Sequence, residues 1–348
     1  MDGVAFALSA YAAGRRTFKI AGTQAAGASP LVLEDRTTCI EVMTGAMVPH
    51  GCDCVVPVEK LSIRDGIAEL AEDAAASPGL NIHRTGIDCR AGQLLLSPHT
   101  RLGPTQIAVI ASAGLASAAA TPRPRIVVIS TGDELVEPGY PVAEWQIYRS
   151  NAYAVVAALR NRGFEHVGQD HLPDDLPVLR DRLAAHLERN DALILSGGVS
   201  MGRFDYVPQV LQELGVKPVF HKISQRPGKP MWFGVGSAGQ CVYALPGNPV
   251  STLVCLARYV YRGLAVAEGV EEPKAETAVL DSRFEVKPTL TFFLPVSLAS
   301  DGATLLAHAR PTQGSGDFTS LLGTHGFVEL PPGPTLIPEG TVVPLYRW

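Results

Sequence analysis

The chain has 348 residues, 46% of them apolar and 18% charged, with a formal net charge of −5. That length predicts two to four domains, and that balance excludes a disordered chain. The charge supplies no global pull toward nucleic acid or an acidic membrane surface.

Residues 1–90 lack helical periodicity, and short β-like runs at 38–43 and 54–58 alternate with Gly, Pro and Asp, which predicts a small β domain. Asp2 and Thr44 each sit beside a Gly in this part and Asp88 stands two residues after Gly86, a pattern that turn chemistry also produces. His50, Cys52 and Cys54 are close enough to suggest a metal. Strand alternation instead predicts both thiols on one buried face. The other cysteines stand at 39, 89, 241 and 255, and no spacing matches a zinc or redox motif. With no signal-peptide pattern at the start, a reducing cytoplasm is the expected setting.

Residues 91–122 read as a connector with one helix over 104–113, Pro104 fitting its first turn. The uncharged run 102–120 is broken by Gly103, Pro104, Gln106 and Gly114, which predicts a buried helix and a turn rather than a membrane span. A sharp change in composition at 116–124 marks a boundary. Residues 123–270 then alternate strand and helix patterns. Asn151 and Asp174 are predicted to cap two helices, Asp205 to open a third, and Pro249 to open a fourth that runs toward Gly263. Residues 273–348 return to β character, over 286–298, 303–309, 327–330 and 341–346. The expected architecture is multi-domain: an α/β core with a doubly wound, mostly parallel sheet, flanked by two smaller β-rich domains.

Three stretches in the core share one grammar: ISTGDE at 129–134, LSGGVS at 195–200 and ALPGNP at 244–249. Each follows a short run of Val, Ile or Leu that reads as a buried strand. In a parallel sheet the loops at the strands' carboxyl ends share one edge, and that edge holds the ligand. Glycines there let backbone approach closely, and exposed N–H groups suit an anion. Asp133, Glu134, Asp174, Asp175 and Asp205 fall at strand ends or helix starts, where hard oxygens suit Mg²⁺ shared with a phosphate. Helix capping by Asp174 and Asp205 needs no ligand and remains open. Lys222, Arg226 and Lys229 lie in a loop fixed by two Pro and a Gly, suited to phosphate or another oxyanion, with a solvated turn as the alternative. No Ser-His-Asp order, GxGxxG, Walker-type loop or HExxH is present, which speaks against hydrolytic and dinucleotide chemistry.

MDGVA at 1–5, VMTGAMVPHGCDCVV at 42–56, STGDELVEPG at 130–139, SGGVSMGRFDY at 196–206, RPGKP at 226–230, LPGNPVS at 245–251 and QGSG at 313–316 together resemble the molybdopterin molybdenumtransferases, which include the catalytic domain of gephyrin. The resemblance runs through the whole chain in order. The core alone is also similar to molybdopterin adenylyltransferases and competence-damage proteins. The resemblance implies insertion of molybdate into adenylylated molybdopterin with release of AMP, Mg²⁺ as the cofactor, and a cytoplasmic homodimer. Contact with a molybdopterin adenylyltransferase is a further implied partner; nucleic acid and membrane are not. Catalytic positions carried over are Asp2, Thr44, Asp88, Glu134, Asp174, Asp205 and Lys229, with Glu134, Asp174 and Asp205 on the metal. Substrate contacts carried over are Pro246, Pro249 and Ser315; the physical reading of the glycine turns and the cationic loop adds Thr131, Ser196, Gly197, Gly198, Gly247, Asn248 and Arg226 as expected substrate contacts.

Four features depart from the family's pattern. The chain starts inside the MDG motif, and the resemblance implies a dimer that is weakened if the helical segment usual ahead of that motif is truly absent. Arg226 replaces the usual Lys. Arg149 stands where an acid is usual, which reverses the expected charge at the cleft. Leu290 stands where an Arg is usual and removes a candidate anion contact. A non-catalytic molybdopterin-binding paralogue or scaffold is therefore the competing reading, and an adenylyltransferase or pyrophosphatase a third.

Overall fold

The structure is a computed structural model that describes residues 1–199, 206–270, 275–286, 289–333 and 335–348. Two compact units divide at residue 95.

The N-terminal unit holds β1 (Gly3–Phe6), α1 (Leu8–Ala12), β2 (Thr17–Gln24), β3 (Thr38–Val42), β4 (Cys54–Pro57), β5 (Leu61–Arg64) and β6 (Ile67–Leu70). They form one mixed sheet in the order β4-β1-β3-β2-β6-β5. Val4, Phe6, Phe18, Cys39 and Val56 build its core. The five-residue α1 was not expected, because so short a helix shows no periodicity. The thiol expectation is half right. Cys54 is buried in β4, whereas Cys52 precedes the strand and is only partly covered. Burial pushes both thiols up to about 12.

The second unit opens with α2 (Pro104–Ser112), where a helix was expected. The expectation that it is buried fails, since none of its residues is. Ile107, Val109 and Ile110 do not share one narrow stripe, so no single neighbour can cover them. There follow β7 (Ile126–Thr131), β8 (Leu135–Val136), β9 (Ile147–Tyr148), α3 (Ser150–Asn161), β10 (Val167–Leu172), α4 (Leu176–Arg189), β11 (Ala192–Ser196) and α5 (Val207–Glu213). Next come β12 (Lys217–His221), β13 (Gln225–Arg226), β14 (Trp232–Val235), β15 (Cys241–Leu245), α6 (Pro249–Cys255) and α7 (Tyr261–Ala267).

The central sheet has the order β10-β7-β11-β15-β14-β12. Its first four strands are parallel, and β14 and β12 are antiparallel additions at one edge. Strand alternation sends Ile126, Val128, Ala192 and Ile194 to one face, under Val155 and Leu159 of α3 and Leu256 and Val260. Val127, Ile129, Leu193 and Leu195 face the other way, under Leu179 and Leu183 of α4 and Val210 of α5. Helices thus cover both faces, which is why these strands read as continuous apolar runs.

Three helix boundaries correct the sequence reading. Arg149, not Asn151, is the N-cap of α3; the Asn151 side chain instead leaves the helix to bond two other loops. Asp175, not Asp174, caps α4, accepting from the Val178 N–H at 3.0 Å. The helix opened by Pro249 does not stop at Gly263. It passes through a π-helical stretch at Leu256–Val260 and ends at Ala267. A Cβ on Gly263 would stand 1.8 Å from the Tyr243 hydroxyl oxygen, so this glycine serves close packing rather than termination. By length and hydropathy the run Pro249–Ala267 could cross a membrane, yet Val250, Val254, Leu256 and Val260 lie in protein cores.

The last part holds β16 (Glu276–Leu280), β17 (Phe284–Glu285), β18 (Thr291–Asp301), β19 (Thr304–Ala309), β20 (Gly326–Leu330), β21 (Leu336–Ile337) and β22 (Val342–Arg347). The order β18-β19-β16-β22-β20 closes on itself through a β18–β20 pairing. Five strands therefore form a barrel, which leaves no open edge among them. Phe293 and Phe327 from the barrel join Val250, Val254 and Ala257 in one buried cluster. That cluster fixes the start of α6 against the barrel.

Candidate active site

The three glycine-bearing turns meet because their strands are in register. Ser196 pairs with Ser130 on one side and Leu245 on the other, and Leu172 pairs with Thr131. The carboxyl ends of β10, β7, β11 and β15 are therefore level. Asn151, from the first turn of α3, ties them together. Its Nδ2 donates to Ser196 Oγ at 2.9 Å and to the Gly247 carbonyl at 2.7 Å.

Two glycines are obligatory here. Gly197 has φ +101°, and a Cβ would lie 2.5 Å from the Thr131 carbonyl oxygen; Gly132 has φ +140°, and a Cβ would meet the Glu134 carboxylate at 2.5 Å. Both positions hold a backbone that L side chains rarely adopt, and at Gly197 the fixed Thr131 carbonyl also leaves no space for a Cβ. Glu134 is thereby folded back over its own turn. Asp133 Oδ1 accepts from the Asp174 N–H at 3.2 Å, which brings the loops after β7 and β10 together.

These turns enclose a cavity of about 370 Å³, walled by Thr131, Glu134, Arg149, Asn151, Ser196 and Asn248 among others. Four buried polar atoms of its wall residues have no hydrogen-bond partner: Ser130 Oγ, Thr131 Oγ1, Arg149 Nε and Asn151 Oδ1. A buried donor or acceptor left unmatched costs about 1–3 kcal/mol. Four around one cavity mark a site prepared for a polar ligand. Sequence reading missed Ser130, counted Asn151 as a cap and treated Arg149 only as a departure. Arg149 does not simply reverse the charge there, because its Nη2 pairs with Glu137 Oε2 at 2.5 Å.

A second cavity, of about 350 Å³, adjoins the first through Asn248 and the 313–316 loop. Arg226, Lys229, Ser251, Leu290 and Ser315 are in its wall. The cationic loop is held from beneath. Gln225, 1% exposed, donates to the Pro227 carbonyl at 3.1 Å and accepts from the Tyr259 hydroxyl. Gly228 packs so close to Cys255 that a Cβ would stand 2.6 Å from its sulfur. Burial pushes the Cys255 thiol up to about 12, so it packs rather than reacts. Ser315 is placed by Asn248, whose Nδ2 donates to its Oγ at 2.8 Å, and by the Val250 N–H, which donates to its carbonyl at 2.9 Å. Pro246 and Pro249 frame this turn, and the Thr252 hydroxyl donates to the Pro246 carbonyl at 2.6 Å. Leu290 contributes an apolar wall where a cation was expected.

A third cavity, of about 510 Å³, lies at the opposite end of the strands, beside the Arg125–Asp191 ion pair. None of the turn motifs reaches it.

The remaining expected residues lie elsewhere. Asp205 and the end of the second motif fall outside the described residues. In the N-terminal unit, Asp2 Oδ1 accepts from the Thr44 N–H at 2.7 Å and hydroxyl at 2.9 Å. Those bonds, the backbone one foremost, hold its carboxyl below the usual range. Asp88 instead bonds His83 at 2.8 Å on an exposed surface. Among the described residues, no group of three His, Cys, Asp or Glu is arranged to hold a metal by itself.

Three family profiles match the chain in succession. They are described as "MoeA N-terminal region (domain I and II)" over residues 1–114, "Probable molybdopterin binding domain" over 127–265 and "MoeA C-terminal region (domain IV)" over 277–348. The molybdopterin molybdenumtransferase of Synechocystis is 41% identical over 351 residues, covering 100% of this chain and 87% of that protein. Molybdopterin molybdenumtransferase 2 of Mycobacterium tuberculosis is 32% identical, covering 91% and 78%. A crystal structure of the molybdopterin biosynthesis MoeA protein from Pyrococcus horikoshii superposes with a TM-score of 0.79 at 30% identity, covering 100% of this chain and 86% of that one. The level strand ends, the paired cavities and these relatives agree, and the chain belongs to the MoeA family of molybdopterin molybdenumtransferases.

Proposed function

We propose that this protein inserts molybdate into adenylylated molybdopterin and releases AMP. The observation that carries the reading is the pair of adjoining cavities. One is lined by glycine turns and unmatched buried polar atoms, the other by Arg226 and Lys229, and Asn248 belongs to both. A phosphate-bearing pterin adduct suits the first, where Thr131, Ser196, Gly197 and Gly247 supply hydroxyls and close-approaching backbone. Molybdate, a compact oxyanion, suits the second, where Arg226 and Lys229 offset its charge and Ser315 orients it. Asn248 then fixes the spacing between the two substrates, which is how positioning lowers the barrier. The dithiolene sulfurs are soft ligands that molybdenum keeps, so no protein thiolate is needed.

Glu134 and Asp174, with Asp205, are the residues that would hold Mg²⁺. The donor chemistry fits, because Mg²⁺ is commonly bound by one or two carboxylates plus substrate phosphate oxygens rather than by an all-protein cage. Bound there, the ion would supply Lewis-acid stabilisation of charge on the phosphoanhydride. Asp2 and Thr44 are proposed to close the cleft from a second subunit of a cytoplasmic homodimer, a dimer that sedimentation tests, and Asp88 is proposed as a further catalytic residue.

The decisive measurement is AMP release from adenylylated molybdopterin in the presence of molybdate and Mg²⁺. Release that depends on molybdate is expected. Folded protein that gives no AMP above background overturns the transfer. Leu290 favours one second reading, a non-catalytic molybdopterin-binding protein, because it puts an apolar wall beside the proposed molybdate cavity. That reading expects tight binding of the adenylylated pterin with no molybdate-dependent AMP.

A further inference from the structure

The guanidinium of Arg149 is only half used. Its side chain is 11% exposed, and Nη2 pairs with Glu137 Oε2 at 2.5 Å. Nε is buried without a partner. These two nitrogens share one edge of the guanidinium, the edge that grips a carboxylate or phosphate with two parallel bonds. Glu137 does not complete that grip: Nε finds no partner in it, and its other oxygen, Oε1, accepts from the Tyr153 hydroxyl instead. A buried guanidinium with an unmatched N–H beside a cavity is costly unless a ligand completes it.

The surroundings define that ligand. Ser130 and Thr131 are 1% and 3% exposed, and both of their hydroxyls are unpaired. Arg149 is the N-cap of the twelve-residue α3 and offers it no side-chain cap, so the first-turn N–H groups add the positive end of a helix. Ser130 shares the sheet face that packs under α3, whereas the Thr131 hydroxyl faces the other side, against Gly197 and Gly198; a fixed cation, the Ser130 hydroxyl and a helix N-terminus together form a donor set for phosphate oxygens. The unpaired atoms lie just beneath the cavity wall, so side-chain rotation accompanies binding. Ser and Thr hydroxyls need only one bond to turn.

We propose that Arg149 is a specificity-determining residue that anchors one phosphate group of the substrate through its Nε–H, aided by the Ser130 hydroxyl, with Glu137 as the positioning residue that presents it. The proposal rests on the transferase reading for the identity of the substrate, not for the existence of the phosphate site. That reading offers two sources of the phosphate group, the pterin side chain and the nucleotide.

The test is calorimetric binding of molybdopterin and, separately, of AMP to the full-length protein, so that no turnover is required. Arg149→Ala is expected to weaken at least one of them tenfold or more. Loss confined to molybdopterin assigns the site to the pterin phosphate, and loss confined to AMP assigns it to the nucleotide; either outcome supports the anchor. Arg149→Lys keeps the charge but lacks the fork, and severalfold weakening is expected from it, which covers the case in which the alanine variant does not fold. Arg160→Ala, an exposed charge removal on the same helix, controls for net charge. Unchanged binding of both esters in Arg149→Lys, or equal losses in Arg160→Ala, overturns the proposal. A wild type that binds an ester through Arg149 yet releases no AMP ends the transferase reading alone.

Discussion

At the scale of single residues, Asn151 carries more than its type suggests. Its amide bonds the second and third turns at once, at 2.9 and 2.7 Å. Asn151→Ala removes both bonds and leaves the Gly247 carbonyl one donor short. We expect a stability loss of about 1–3 kcal/mol, read as a lower thermal midpoint, and a fall in AMP release of at least tenfold, because the turns lose their common tie. Wild-type turnover in that variant would separate Asn151 from the site. Asp170, on β10, yields a prediction of another kind. Burial raises its carboxyl, but the bonds from His186, the His171 N–H and Arg182 outweigh that and hold it below its ordinary range. A carboxyl depressed by folding adds stability above its unfolded value of about 3.9, and that addition is lost as pH falls through the folded value. Urea midpoints from pH 6 down to 2 should therefore fall further in the wild type than in Asp170→Asn. Parallel curves would remove Asp170 from the acid response. Local motifs made the glycines, Ser196 and Asn248 legible in the sequence, because each answers to its immediate neighbours. Arg149, Ser130 and Asn151 were not legible as a group. Their meaning lies in partners that they lack or in loops far along the chain, and a linear reading sees neither.

At the scale of elements, the strands of the core were legible because burial on both faces leaves uninterrupted runs of Val, Ile and Leu. Helix ends were not. Two adjacent acids, Asp174 and Asp175, offer the same capping chemistry, and only the backbone path selects Asp175. Gly263 looked like a stop for the same reason, since a glycine's sequence context does not say whether it ends a helix or admits a neighbour. The Tyr243 hydroxyl, 1.8 Å from where a Cβ would stand, decides for the neighbour. Gly263→Ala should therefore destabilise by about 1–3 kcal/mol, the scale of overpacking, although alanine is the better helix former by about 1 kcal/mol. Tyr243→Phe in the same chain removes the clashing oxygen and should recover part of the loss. A stabilising Gly263→Ala would mean that the helix propensity wins and that the contact yields cheaply.

At the scale of the molecule, the placement of the second cavity depends on whether the α/β core and the barrel behave as one body. Lys229 comes from the core loop, Leu290 and Ser315 from the barrel part, and Arg226 from β13, which pairs with β18 of the barrel, so an independent barrel would leave the oxyanion site incomplete. Their shared cluster argues against independence. Phe293 and Phe327 are 1% and 0% exposed, and they pack with Val250, Val254 and Ala257 of the helix that starts at the Asn248 turn. Arg258 adds a bond across the same seam, to Glu329 at 2.8 Å with both side chains about one-fifth exposed. Sequence composition showed a return to β character after residue 273, but not this seam, since helix 249–267 presents apolar residues to two cores at once. Unfolding can test the point with tryptophan. Trp232 is buried in the core, whereas Trp348 packs against Phe327 at the barrel end. Chains that keep only Trp232 or only Trp348, the other tryptophans replaced by Phe, should unfold at the same denaturant midpoint, because a shared hydrophobic seam makes the transition cooperative. Phe327→Ala should lower both midpoints together, by about 3–5 kcal/mol for a buried aromatic lost from a core. If the Trp348 signal moves alone, the barrel unfolds as a separate body, and the oxyanion cavity exists only while the two happen to be docked.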